Sequence, residues 1–407
     1  MSESVRIDSR TVERLRARAA RDPRVSGSTR IEPAALREVI EDLLDEDREI
    51  IGAREREALV GAVVDEALGL GPLEPLLRDR SVTEIMVVGP RRVFVERDGR
   101  VEDAAVHFQD EAHLLHVIDR ILAPLGRRVD EASPMVDARL SDGSRVNAII
   151  RPLALDGAAL TIRRFAAEPL ALEDLCRLGT IDERLADLLS LAVRARRNLL
   201  VTGGTGSGKT TTLAALAALI PARERVVTIE DAAELRIPLP HVVRLESRPP
   251  SLEGRGAVPI RALVRNALRM RPDRIIVGEV RGGETLDMLA AMSTGHAGSL
   301  STLHASSPAD ALLRVQTLAL MGDVDLPYRA VGDQVGSALD VIVHQARLPD
   351  GGRAVTQVAA VSAHRDGPRA TPLVRRRPGD DRWLWSPDVG EWMRAARIEA
   401  DGLGVAG

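Results

Sequence analysis

Several scarcities frame this sequence. Among 407 residues there is one cysteine, Cys176, so no disulfide can form within the chain and no four-cysteine zinc site can be built. Aromatic side chains make up 2%, too few for the stacked platforms that hold single-stranded nucleic acid. Cores must therefore come from Leu, Val, Ile and Ala. No uninterrupted apolar run approaches the roughly 18 residues of a membrane span. The opening MSESVRIDSR is polar and charged, unlike a secretory leader. The chain is expected in the cytoplasm, touching a membrane only through a partner or a surface. A formal net charge of −4 argues against a general coat on duplex DNA. The last scarcity is the sharpest: of 56 Lys plus Arg, only Lys209 is a lysine.

What is present is ordinary in bulk. A hydrophobic fraction of 44% and a charged fraction of 29% suit a globular protein, and the length suits two or three domains. Residues 1–70 carry apolar side chains three or four apart in TVERLRARAARD, PAALREVIEDLLDED and REREALVGAVVDEALGL, which predicts a small helical module. Residues 71–165 alternate in strand fashion in SVTEIMVVGPRRVFVERDGRVE, with turns at Gly89-Pro90 and Asp98-Gly99. An amphipathic helix, EAHLLHVIDRILAPL, and a hairpin around Asp142-Gly143 follow, so an α+β domain is expected. Residues 166–365 alternate strand and helix, the pattern of a parallel sheet with helical crossovers. That stretch closes on a terminal hairpin turning at Asp350-Gly351-Gly352. Residues 366–407 read as a C-terminal tail that holds Trp383, Trp385 and Trp392, expected to pack back onto the preceding domain.

Gly203-Gly204-Thr205-Gly206-Ser207-Gly208-Lys209-Thr210 fits G-x-x-x-x-G-K-[ST] between a strand and a helix. Four glycines let the backbone turn its N–H groups towards phosphate oxygens, and the helix N-terminus adds its positive dipole end. Lys209 would bridge the β- and γ-phosphates as a point charge, and the Thr210 hydroxyl would ligate Mg²⁺, with Thr211 beside it. Lysine is a slender ammonium where arginine is a broad planar fork, which accounts for the single lysine standing here.

Three later stretches narrow the reading from nucleotide binding to hydrolysis. VVTIEDAAEL ends a strand with Glu230-Asp231 and adds Glu234, at the strand edge where open α/β sheets bind ligands. Glu230 is a candidate for placing Mg²⁺ or the attacking water; Asp231 and Glu234 suit helix capping equally well. RPDRIIVGEVRGGE is a hydrophobic strand ending in Glu279, which could polarise that water, with Arg281 able to reach a phosphate or a neighbouring subunit. STGHAGSLSTLHASSP places His296 and His304 at sheet-edge turns, as γ-phosphate sensors. His113 and His116 share a helix face and are read as surface residues. Arg261, Arg265 and Arg269, four apart, form either a subunit contact or a solvated face.

At this point the chain resembles the secretion ATPase superfamily, the motors of type II and type IV secretion and of type IV pili. It is most similar to the CpaF/TadA-type ATPases of tight-adherence pili. GGTGSGKTTT, TIEDAAEL, RMRPDRIIVGEVRGGE and STGHAGSLSTLHA stand as that family's Walker A, Asp-box, Walker B and His-box motifs, in family order. Cys176 alone cannot supply the zinc motif of many type II members, which favours the branches lacking it. The resemblance implies an α/β fold: a RecA-like P-loop motor domain, an α+β, PAS-like N-terminal domain and a helical N-terminal extension. It implies ATP and Mg²⁺, a homohexamer, and inner-membrane platform proteins as partners at the cytoplasmic face, with no specific nucleic acid. It also implies that Arg163 and Arg164 in TIRRF contact the nucleotide, with Arg145 and Arg151 as weaker candidates. A guanidinium fork suits a pair of phosphate oxygens. The main rival reading is a RecA-type nucleic-acid translocase, which sparse aromatics disfavour.

Overall fold

The computed structural model describes residues 9–26, 31–47, 52–97, 99–140, 142–164, 169–248, 255–322, 324–377 and 382–403. The chain divides into two compact units, Met1–Ala166 and Ala167–Gly407.

The first unit begins with helices α1 (Ser9–Ala19), α2 (Pro23–Ser26), α3 (Pro33–Asp47) and α4 (Ala53–Leu68). Leu36, Val39, Ile40 and Leu44 recur on one face of α3, and they meet Leu15 of α1 and Leu59, Val60 and Val63 of α4 in a closed apolar cluster. A short helix α5 (Glu74–Arg78) then leads into strands β1 (Val82–Val88), β2 (Arg92–Arg97) and β3 (Arg100–Asp103). Helix α6 (Glu111–Leu122) separates these from β4 (Met135–Arg139), β5 (Arg145–Ile149) and β6 (Ala159–Arg163). The six strands form one antiparallel sheet in the order β3-β2-β1-β6-β5-β4. Asp110 caps α6 by accepting from His113 N at 2.8 Å, and Leu114, Val117, Ile118, Ile121 and Leu122 turn its apolar face to the sheet. The hairpin expected at Asp142-Gly143 joins β4 to β5, where Ser144 N donates to Asp142 Oδ1 at 2.8 Å. Gly99 lies in the β2–β3 turn, whereas Asp98 falls outside the described residues.

The second unit starts with α7 (Leu172–Arg177) and α8 (Glu183–Arg194), then β7 (Leu199–Gly203), α9 (Lys209–Ala217), β8 (Val226–Glu230) and β9 (Val242–Glu246). Next come α10 (Ile260–Ala267), β10 (Arg274–Val277), α11 (Glu284–Ser293), β11 (Leu300–His304), α12 (Pro308–Leu320) and α13 (Tyr328–Ala338). The chain closes with β12 (Val341–Arg347), β13 (Arg353–Ser362), β14 (Arg369–Arg376), β15 (Trp383–Trp385) and α14 (Val389–Gly402). The sheet has nine strands in the order β15-β14-β13-β12-β7-β11-β10-β8-β9. Six of them, β12 through β9, run parallel; β13, β14 and β15 continue antiparallel.

Strand alternation divides the core into two halves. Leu199 and Val201 of β7, Ile276 of β10 and Val341 and Val343 of β12 feed one cluster, shared with α8 and α9. Their neighbours Leu200, Ile275, Val277 and Ile342 feed the other, under α10 to α13. A sheet buried on both faces needs continuous apolar strands, which explains sequences such as NLLV and RIIV.

Two expectations are corrected here. The hairpin β12–β13 is not terminal: β14 and β15 extend the sheet beyond it and α14 returns to α8. Ala396 and Ala400 of α14 pack on Ala195, and Trp383 Nε1 donates to Val355 O at 3.0 Å. The tryptophans pack onto the domain as expected, with the Arg184 guanidinium 3.9 Å above the Trp385 ring. His113, expected on the surface, is half-buried: its Nε2 lies 2.8 Å from Glu66 Oε1 and its ring meets Phe108 edge-on. His116 is exposed.

Candidate functional site: a phosphate loop and its acidic neighbours

The loop between β7 and α9 is built by glycine. Gly206 and Gly208 have φ of +69° and +92°, a region other residues enter at a cost. A Cβ at Gly203 would overlap the Gln345 carbonyl and stand 2.7 Å from Ser207 Oγ. Ser207 Oγ donates to Gly204 O at 2.9 Å, and Lys209 Nζ donates to the same oxygen at 2.9 Å. Lys209 is only 8% exposed. Burial draws its pKa below the ordinary lysine value, and Glu279 pulls it partly back. Thr210, one residue on, is half-buried at the start of α9; Gly204, Thr205 and Thr211 are exposed.

Parallel strands place the acidic groups beside this loop. His304 ends β11, whose register sets it opposite Gly203. Its ring nitrogens stand 3.4 and 3.5 Å from Lys209 Nζ, and its Nε2 lies 3.0 Å from Glu279 Oε1. Burial first, then the Lys209 charge, hold His304 below its ordinary pKa, so the ring favours its neutral form. Arg281 grips the other Glu279 oxygen, Oε2, through Nε at 3.0 Å and Nη2 at 2.5 Å, with Asp231 Oδ2 3.8 Å from Nη1. Glu279 Oε1 is buried without an aligned hydrogen bond. An orphaned carboxylate oxygen beside a lysine and a histidine is an acceptor waiting for a donor.

Glu230 is engaged by backbone amides. Its Oε2 accepts from Glu234 N at 2.9 Å and Leu235 N at 3.0 Å, so it orders the loop after β8. Burial pushes its carboxyl up to about 7 despite those amides. Gly278 makes room for it: a Cβ there would stand 2.7 Å from Glu230 Cγ.

The structure thus gathers Lys209, His304, Glu279, Arg281 and Asp231 at one sheet edge. Other candidates lie elsewhere. The His296 side chain makes no hydrogen bond among the described residues; its carbonyl accepts from Ser299 Oγ at 2.8 Å, and its Nδ1 is buried without a partner. Arg163 is exposed at the end of β6 opposite Glu84, and Arg164 Nη1 donates to Asp79 O at 2.5 Å, both in the first unit. Arg261 and Arg265 share Asp287 on α11, at 2.7 and 2.8 Å, and Arg269 Nη1 donates to Arg265 O at 3.2 Å.

Several residues at this edge carry no signal in one dimension. A cavity of about 440 Å³ opens between Gly203–Thr205 and the residues His304, Asp310, Arg314, His344 and Gln345. His344 Nδ1 lies 3.0 Å from Thr202 Oγ1. Gln345 and His344 come near the loop only because β12 pairs with β7, a strand order that the sequence does not spell out.

Among the described residues no three His, Cys, Asp or Glu side chains are arranged to hold a metal ion. Magnesium does not demand such a cage; it keeps waters and binds through one or two protein oxygens plus phosphates. The Thr210 hydroxyl and the open Glu279 oxygen fit that pattern.

The sequence profile of the type II/IV secretion system protein family matches residues 66–366. A Mycobacterium tuberculosis (strain H37Rv) protein provisionally named for conjugal transfer is 39% identical over 318 residues, covering 77% of this chain and 90% of its own. The type IV secretion system protein PtlH of Bordetella pertussis (strain Tohama I) is 38% identical, covering 67% of this chain and 88% of its own. In fold alone, the pilus retraction motor PilT with bound ADP superposes with a TM-score of 0.51 at 22% identity, over 78% of this chain and 83% of that one. The profile match and the relatives agree with the phosphate loop and its acidic edge: the chain belongs to the type II/IV secretion system protein family, a family of nucleotide-binding α/β ATPases.

Proposed function

We propose that this protein is a motor subunit that hydrolyses ATP with Mg²⁺ and works as a homohexamer against inner-membrane platform proteins, at the cytoplasmic face. Among the machines of its family, a tight-adherence pilus is the one we favour, on the resemblance of its four motifs to the CpaF/TadA branch. No helix among the described residues is long and apolar enough to cross a membrane, so platform proteins would supply the membrane contact. The observation that carries the reading is the placement of Glu279 and Lys209 around His304 beside a glycine loop.

In this reading the loop amides and Lys209 hold the β- and γ-phosphates. Magnesium, when bound, supplies positive charge over those phosphates, held by Thr210 and, through water, Glu279. Glu279 Oε1 takes the proton of the attacking water, while Arg281 fixes the carboxylate by its other oxygen. His304 senses whether the γ-phosphate is present through its place beside Lys209. Arg163 and Arg164 are proposed as nucleotide contacts on the family resemblance, and Arg163→Ala with Arg164→Ala should raise the KM for ATP. Differential contact with ATP over ADP is what would turn hydrolysis into movement.

The test is phosphate release by the purified protein with Mg²⁺ and ATP, together with its mass in solution by sedimentation. Turnover in a hexamer supports the reading. Turnover that requires DNA would favour the translocase, and a protein that neither binds nor hydrolyses ATP would defeat both.

A further inference from the structure

The β12–β13 hairpin reaches the phosphate loop with two side chains. Gln345 Nε2 donates to Ser207 O, and Arg353 Nε donates to Gly206 O at 3.1 Å. Gln345 is 1% exposed and stands in register beside Gly203. A Cβ on Gly208 would lie 3.1 Å from Gln345 Nε2 and 3.3 Å from Arg353 Cδ, so the hairpin leaves room there for little more than glycine.

Peptide geometry gives these bonds a consequence. In a trans peptide the C=O and the following N–H point in opposite directions. Holding Gly206 O and Ser207 O towards the hairpin turns the N–H groups of Ser207 and Gly208 away from it. Ser207 N has only a long bond, 3.4 Å, to Gly204 O, and Gly208 N has no acceptor among the described residues. Two adjacent amides aimed away from the hairpin at the start of α9 form an anion-binding concavity. Arg353 also brings a charge that makes no ion pair with a carboxylate among the described residues.

We infer that Gln345 and Arg353 are positioning residues for phosphate binding: they fix the two peptide planes whose N–H groups receive phosphate oxygens of a nucleoside di- or triphosphate. The inference rests on the nucleotide reading above. It distinguishes the hairpin from a mere extension of the sheet, because a passive strand would have no reason to hold loop carbonyls by side chains.

The experiment measures equilibrium binding of ADP, ATP and AMP to the full chain, with kcat and KM, for wild type and four variants. Gln345→Glu is isosteric but sets an acceptor against Ser207 O; Gln345→Asn shortens the reach. Arg353→Met removes donor and charge, whereas Arg353→Lys keeps the charge and a donor without the planar fork. Gln345→Glu and Arg353→Met should weaken ADP and ATP by about tenfold, the scale of a lost charge-assisted or buried hydrogen bond. KM should rise in step while kcat at saturating ATP changes less, and Arg353→Lys should recover most of the affinity. Without nucleotide, the thermal midpoint of Arg353→Met should stay at the wild-type value, whereas the buried carboxylate of Gln345→Glu should lower it. Wild-type affinity for ADP and ATP in both Gln345→Glu and Arg353→Met overturns the inference. So does a loss in Arg353→Met that follows the melting temperature downwards, which would make the hairpin structural only. A wild-type protein that binds no nucleotide would sink the underlying reading first, and that arm is read independently of the variants.

Discussion

Glu279 Oε1 stands 3.0 Å from His304 Nε2, and it does so without an aligned hydrogen bond. The carboxylate is held by Arg281 on one oxygen and left open on the other. On the proposed reading, that asymmetry leaves Glu279 one oxygen for orientation and one for the attacking water. Glu279→Gln should lower turnover by roughly 10²–10⁴, the usual contribution of a positioned general base. ATP affinity should remain near the wild-type value. Unchanged phosphate release in this variant would remove Glu279 from the reaction.

Lys209→Arg keeps the charge and enlarges the head group. The ammonium fits beneath Gly204 O and beside His304 in a space that leaves it 8% exposed. A planar guanidinium needs a wider slot. Both nucleotide affinity and turnover should fall, turnover by roughly 100-fold, as for loss of one preorganised cationic or amide donor at a reacting oxygen. Binding isotherms and phosphate release check this directly.

Glu230 gives a pH signature. Burial raises its folded-state pKa from 4.5 to about 7, so between those values the folded protein holds a proton the unfolded chain has released. Stability therefore falls as pH rises through that window. Glu230→Gln removes the ionisation yet keeps an oxygen for the amides of Glu234 and Leu235. In urea titrations the variant should gain on wild type from pH 5 to pH 8, by up to roughly 3 kcal/mol. Equal stability differences at both pH values would contradict the buried, protonated carboxyl.

The second unit contains all three tryptophans, in β15 and α14. Tryptophan fluorescence should therefore follow unfolding of this unit without signal from the first. Deleting residues 366–407 should strip β14, β15 and α14 from the sheet and expose Val355, Val358 and Leu191. The expected product is insoluble or strongly destabilised protein, read by the yield of soluble chain and its thermal midpoint.

Arg274 is fully buried in β10, bonded through Nε to Glu224 Oε2 at 2.7 Å and through Nη1 to the carbonyls of Val193 and Gly298. Glu224→Ala leaves that guanidinium uncompensated. The variant should lose roughly 3–5 kcal/mol, measured by chemical denaturation.

The parallel strands and the phosphate loop were legible because their signals are local: NLLVTGGTGSGK carries its strand, its turn and its helix start together. Glu279 and His304 could be named from sequence because strand ends in such sheets converge on ligands. Gln345 and Arg353 could not. Their significance depends on β12 lying next to β7, a pairing between residues some 140 apart in the chain, and no local pattern encodes it. Glu230 reads as a metal-side acid in one dimension; only the backbone amides of Glu234 and Leu235 show what its oxygens hold. The packing of the tryptophans was legible, but the strands that carry it were not, because Arg, Pro and Gly interrupt the apolar alternation around Trp383 and Trp385.

A chain with one lysine offers amine-directed chemistry a single side-chain target, and that target sits at the base of the phosphate loop. Acylation by a small activated ester would then mark the α-amine and one internal lysine, and the Lys209 increment can be read apart from the first, without other lysine side chains to dilute it. Protection by bound ADP or ATP would turn that increment into a direct gauge of occupancy.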